Sequence, residues 1–271
     1  MLAAELVDVK GSSPRDAGTV MLISPTRTLG TIGGGALEYM VIDRARQVLR
    51  DGLGTDSLDV PLGPEIGQCC GGRVQVSMAV VTSEKARDIV GRARAEQAGY
   101  PAVYVFGAGH VGHALASALA LLPVRTVVVD TRPDELTGFP VGVLTRAVAL
   151  PEAVLREAPP GSAFVVLTHD HALDFLLAAE ALKRTDAAYI GMVGSRTKRA
   201  KFTSWYKETG GDLRVLDRLI SPIGADGLGD KRPAVIAALA AAEIMVHVGR
   251  REAITPDARP VAGERATADG C

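Results

Sequence analysis

Aromatic residues are scarce: one Trp, five Phe and five Tyr make up 4% of the 271 residues. With Ala, Val, Leu and Gly abundant instead, close helix-on-sheet packing is favoured over an aromatic-lined groove. Only three cysteines occur, two of them adjacent, which excludes a disulfide framework and points to reduced thiols in a cytoplasm. The formal net charge of -1 gives no electrostatic basis for DNA, RNA or an anionic membrane as a partner. The opening Met1-Leu-Ala-Ala-Glu5 lacks a basic region and carries an early acid, so a secretory signal is not expected. The most apolar helical stretch, 234–248, is short for a membrane span and contains Glu243 and His247. What is present is a folded-protein composition, 47% hydrophobic and 23% charged, in a chain long enough for two domains.

The pattern changes near residue 100. Residues 1–99 read as a smaller α+β domain with strands at 4–9, 20–23 and 74–81, a helix over 36–50, and an Ala-rich connecting helix over 83–99. Residues 100–250 alternate strand and helix. Val-rich strands at 102–106, 124–129, 163–167 and 188–193 are separated by helical stretches at 111–121, 151–157 and 171–183. A long helix from 231 to about 248 follows. Such near-continuous apolar strands predict an α/β fold with a parallel, Rossmann-like sheet covered on both faces. Residues 251–271, rich in Arg, Pro, Ala and Asp, read as a disordered tail.

Gly107-Ala-Gly109-His110-Val-Gly112 is a GxGxxG between a strand and a helix, and Asp130 ends the next strand close to the spacing of about 20 residues expected for an acid on a ribose hydroxyl. Arg132 leaves NADP-like or other phosphorylated ligands open. The other strands also deliver polar groups to the same edge, through Thr168-His169-Asp170-His171 and Gly194-Ser195-Arg196. His169 and His171 with Asp170 between them could hold zinc or iron, but no third ligand stands at a familiar spacing, and a helix cap plus a packed His is the alternative. His110 reads as a phosphate contact. The cations of residues 194–199 suit a phosphate or form a solvated first turn. Glu243, in an apolar helix, reads as a paired buried carboxylate.

In the first half, Gly11-Ser-Ser-Pro14-Arg15 and Gly30-Thr-Ile-Gly33-Gly34-Gly35-Ala-Leu-Glu38 flank the early strands. Three glycines before a helix form a natural oxyanion nest, and Glu38 suits the helix dipole. Gly67-Gln-Cys69-Cys70-Gly71-Gly72 places two thiols among glycines, where a thiolate is a soft ligand or a sulfur nucleophile; inert buried cysteines are the alternative.

These segments, together with Leu62-Gly-Pro-Glu-Ile-Gly67, Tyr189-Ile-Gly-Met-Val-Gly194 and Ser221-Pro-Ile-Gly224, resemble the XdhC/CoxI accessory proteins of molybdenum hydroxylases over most of residues 5 to 245. The family usually carries further residues before the first strand, so weaker folding of the first domain or weaker partner docking is expected. The resemblance implies a chaperone without turnover of its own. Such a chaperone binds molybdenum cofactor (molybdopterin), protects it while a cysteine desulfurase supplies its sulfido ligand, and delivers it to apo-xanthine dehydrogenase or a related molybdenum hydroxylase, with purine catabolism as the implied setting. By position, Cys70 is implied as the molybdenum-holding residue, with Cys69 beside it, and the glycine fingerprint with Asp130 as the nucleotide or pterin-phosphate pocket. The cargo is then expected between the cysteine loop and the carboxyl edge of the Rossmann sheet. The rival reading is an NAD(P)-dependent oxidoreductase using His110 or His169, which leaves the cysteines idle. A homodimer is a candidate assembly, because the small first domain gains burial from it.

Overall fold

A computed structural model describes residues 1–67, 71–224 and 229–254. The chain divides into two compact units, Met1–Ala93 and Arg94–Cys271.

The first unit is an antiparallel sheet with strands β1 (Leu2–Lys10), β2 (Val20–Ile23), β3 (Thr28–Leu29), β4 (Thr55–Pro61) and β5 (Arg73–Val80), in the order β3-β2-β1-β5-β4. In β5, Val74, Val76 and Met78 are buried while Arg73 and Gln75 are exposed, the alternation of a sheet with one covered face. That cover is helix α1 (Gly35–Arg50), which buries Leu37, Val41, Ala45 and Val48 against Leu2, Leu6, Met21 and Ile23. Helix α2 (Ser83–Gly99) buries no residue; the unit boundary falls inside it, and it is the expected connecting helix. Its first half is tied to β1 by charge, since Glu5 accepts from Lys85 Nζ at 2.9 Å and Arg92 Nη1 at 2.7 Å.

The second unit holds a parallel sheet of six strands rather than the four expected. They are β6 (Ala102–Phe106), β7 (Arg125–Asp130), β8 (Leu144–Ala147), β9 (Ala163–Val166), β10 (Tyr189–Met192) and β11 (Leu219–Ile220), ordered β11-β10-β9-β6-β7-β8. The order runs outward in both directions from β6 and β9, so their carboxyl ends form the switch point where ligands of such sheets bind. Along β6 the side chains alternate between two cores. Tyr104 and Phe106 join the core beneath α4 (Pro151–Glu157), α5 (His171–Lys183) and α6 (Arg196–Glu208). Val103 and Val105 join the core beneath α3 (His110–Leu119) and α7 (Pro233–Ile254). Both faces are covered, as the apolar strands require.

Helix α7 runs further than expected, taking in 251–254 of the expected tail; residues 255–271 lie outside the described residues. By length and composition it is the one described helix able to cross a membrane. In this fold Ala237, Ala240, Ala241, Ile244 and Val248 instead close one core against α3. Glu243 accepts from Tyr189 Oη at 3.2 Å and the Gly224 N–H at 2.8 Å, so its partners are a phenol and a backbone amide. Burial first, then the Glu243 carboxylate, pushes the Tyr189 hydroxyl far above its ordinary range and keeps it protonated.

Burial alone would raise the carboxyl of Glu5, but the hydrogen bonds and charges of Arg92 and Lys85 outweigh it and hold it below the ordinary range. The folded value is depressed, so this stabilisation is present above the unfolded value of about 4.3 and disappears as pH falls through the folded one. Glu5→Gln is expected to cost about 1 kcal/mol at pH 7, a figure discounted for solvent because both cations are partly exposed. The gap between wild-type and variant urea midpoints should close as pH drops below about 4.

Candidate functional site

The glycine fingerprint occupies the turn from β6 into α3, and its three glycines have different physical reasons. A Cβ on Gly107, where φ is +121°, would stand 2.4 Å from the Leu167 carbonyl oxygen. One on Gly112 would stand 2.1 Å from the Gly107 carbonyl oxygen. Both are demanded by the fold. Gly109 has φ -74°, open to any residue, and a Cβ there would meet nothing within 4 Å. No internal contact calls for glycine at 109. The bare backbone borders open space at the start of α3, where the first-turn N–H groups lack intrahelical acceptors and the dipole favours an anion. His110, first residue of that helix, is exposed.

Asp130 lies at the end of β7, 4% exposed, but its carboxylate is already engaged. It accepts from the Ala108 N–H at 2.7 Å, the Arg132 N–H at 3.0 Å, and Arg132 Nε and Nη2 at 3.1 Å each. Four donors match the roughly four lone-pair positions of a carboxylate. Here Asp130 braces the glycine turn, and Arg132, also bonded to Glu135, is the partly exposed group at that strand end. Burial would raise the Asp130 carboxyl, but Arg132 and the two backbone donors hold it below the ordinary range. The ribose-binding role expected of Asp130 therefore requires a rearrangement of Arg132.

At the ends of β9 and β10 the structure reveals a pair that spacing did not suggest. Asp174, fully buried in α5, accepts from the Thr168 N–H at 2.8 Å and Thr168 Oγ1 at 2.7 Å, and is ion-paired to Lys198 of α6. Lys198 also donates to the Val193 carbonyl at 3.0 Å, folding over Gly194, where a Cβ would collide with its side chain. Arg199 donates to the Ser221 carbonyl at 3.2 Å. Of the three cations expected to suit a phosphate, Lys198 and Arg199 are thus committed and Arg196 stands exposed, behind Ser195, which caps α6 by accepting from the Lys198 N–H at 3.2 Å. An acid in the apolar run around Leu173 and Phe175 was the available signal for Asp174. His169 and His171 are exposed, and the cap of α5 is Asp170, which accepts from the Ala172 N–H at 2.8 Å. Among the described residues no group of three His, Cys, Asp or Glu is arranged to hold a metal.

In the first unit, three glycine segments converge. A Cβ on Gly72 would lie 2.1 Å from the Ser12 carbonyl oxygen, and one on Gly33 would lie 2.4 Å from Cγ of Pro14. Residues 11–15 are therefore wedged between the start of α1 and the start of β5. The ends of the intervening loop are pinned together, with the Leu62 N–H donating to Gly72 at 2.8 Å and the Gly71 N–H to Leu62 at 2.9 Å. Cys69 and Cys70, inside that loop, lie outside the described residues. The oxyanion nest is partly filled from within. Glu38 accepts from the Gly34 N–H at 3.1 Å and Thr31 Oγ1 at 2.6 Å, and Thr31 accepts from the Gly33 N–H at 3.2 Å. Gly35 opens the helix with φ +64°.

A Rossmann-type sheet with an open glycine cradle, joined to an antiparallel unit built on converging glycine turns, defines the class. Residues 103–244 match the XdhC Rossmann domain and residues 2–58 match the XdhC and CoxI family. The chain belongs to this XdhC/CoxI family. Over 254 residues it is 27% identical to an uncharacterized Escherichia coli (strain K12) protein, YqeB; the match covers 89% of this chain but 42% of that relative's length. Among solved structures it shares its fold with a Bacillus halodurans protein described as a xanthine dehydrogenase, with a TM-score of 0.70, 18% identity and 92% of each chain covered.

Two substitutions separate the roles of the glycines. Gly112→Ala is expected to lower the thermal midpoint sharply, because its Cβ has no room beside the Gly107 carbonyl. Gly109→Val should leave that midpoint within a few degrees of wild type, because a Cβ there meets nothing within 4 Å. Lys198→Met should cost about 3–5 kcal/mol in chemical denaturation, because it strands the buried Asp174 charge.

Proposed function

We propose that this chain is an accessory protein that binds molybdenum cofactor as cargo and passes it to a molybdenum hydroxylase of the xanthine dehydrogenase type. The convergence of residues 11–15, Gly33 and Gly72 around the ends of the cysteine loop carries the reading. Close backbone packing there fixes where the loop leaves and returns without using up any side chain with ligand chemistry. Cys70, next to Gly71 in the chain, supplies a soft thiolate of the kind a molybdenum–sulfur centre accepts, with Cys69 beside it. Arg15, exposed on the adjoining turn, adds positive charge suited to an anionic cargo. Family membership supports the accessory role.

The Rossmann unit in this reading takes a phosphate-bearing group. The cradle at Gly109 and the first turn of α3 present N–H donors, and Arg132 presents a cation beside them. Its occupant is the phosphate of the cofactor or a nucleotide such as NAD(P). A thiolate bond and amide hydrogen bonds are both reversible, which a carrier requires. Sulfuration while the cofactor is held needs a cysteine desulfurase as the second partner.

The Gly109 cradle also favours a second reading, an NAD(P)-dependent oxidoreductase using His110 or His169 as acid or base. Steady turnover of purines or aldehydes by the isolated chain with NAD(P) would establish it. For the carrier, Cys70→Ala incubated with isolated cofactor is expected to retain less than a tenth of the molybdenum and pterin held by wild type, with an unchanged circular dichroism spectrum. Equal retention would remove Cys70 from the role.

A further inference from the structure

The opposite end of the Rossmann sheet carries a second cavity. It lies at the amino ends of β6, β7 and β8, away from the glycine turn, and encloses about 400 Å³, within the range of small-molecule sites. Leu122, Val124 and Leu144 give it apolar walls, and Leu144 is 59% exposed at the rim. The charged residues lining it are two arginines, Arg94 and Arg125, with no carboxylate among the lining groups. Arg125 is steadied by donating Nε to the Tyr100 carbonyl at 3.0 Å, which leaves its terminal nitrogens for another acceptor. Thr126, also in the wall, is 2% exposed, and its hydroxyl has no hydrogen-bond partner among the described residues. A buried hydroxyl left unpaired is costly and uncommon in native proteins.

Two guanidinium groups without acids, an orphaned hydroxyl and apolar walls left open have one ligand chemistry in common. We propose that this cavity binds a small organic anion, a carboxylate on an aromatic or branched aliphatic body. The carboxylate bonds to the arginines, the body covers Leu122, Val124 and Leu144, and Thr126 gains its missing partner. This site is separate from the Gly109 cradle and stands whether or not the chain carries molybdenum cofactor.

The test uses the full chain, calorimetry and benzoate as the probe, with benzamide as its neutral counterpart. Benzoate is expected to bind saturably at one site and benzamide at least tenfold more weakly. The double variant Arg94→Gln/Arg125→Gln should weaken benzoate at least tenfold. Thr126→Val should raise the thermal midpoint of the free protein, by removing the orphaned hydroxyl, while weakening benzoate severalfold. That opposition of stability and affinity distinguishes a binding group from a packing defect. Equal binding of benzamide, undiminished benzoate binding by either variant, or no saturable binding would each overturn the proposal.

Discussion

Close approach between backbones, with no side chain in between, is the constraint from which the rest of this structure follows. In the first unit, Gly72 lies against the Ser12 carbonyl and Gly33 against the Pro14 ring, so one turn is clasped by the segments that begin α1 and β5. In the second, Gly107 lies against Leu167 and Gly112 against Gly107 itself, which draws the first turn of α3 onto the carboxyl ends of β6 and β9. Larger residues at these points would hold the loops ångströms apart, and the cradles would not form. Gly109 differs from its two neighbours in the fingerprint: its φ is ordinary and a Cβ there would meet nothing within 4 Å, so the fold does not demand glycine at that point.

Charge in this protein is largely spent on holding loops in place. Asp130 is saturated by Ala108 and Arg132, Asp174 by Thr168 and Lys198, and Glu38 holds Thr31 and Gly34. Each is an acid within reach of a glycine turn, and Asp130 resembles a ligand hook when read along the chain. Once its partners are in place, it is a brace. In the parallel unit the groups outside such braces are the backbone donors at the start of α3 and the exposed Arg196; in the antiparallel unit Arg15 is exposed. Backbone N–H groups at a helix start suit an anionic group.

The two units divide the chemistry between them. The antiparallel unit contributes the segment bearing the thiols, and the parallel unit contributes a cradle of the kind that nucleotides and phosphates occupy. Membership of the XdhC/CoxI family joins these halves in one chain. The Rossmann sheet has its own economy: only its switch-point edge carries the glycine turn, while the amino edge is left with arginines and uncovered leucine.

Much of this was legible in one dimension. Uninterrupted apolar runs such as Ala102–Phe106 can only be buried on both faces, so the parallel sheet and its glycine turn followed from local pattern. The strands β3, β4, β8 and β11 escaped because edge strands take their identity from the neighbour they pair with. All four residues of β8 are exposed, and β11 has two residues. Helix α6, polar along most of its length, buries only Phe202 and Tyr206. The sequence by itself determined the fold class and the segments that carry chemistry, because periodicity and glycine spacing act over a few neighbouring residues. Tertiary structure alone decided which charged groups are free. The partner of Asp174 stands 24 residues away and that of Asp130 includes an amide 22 residues back, distances over which only folding brings atoms into contact.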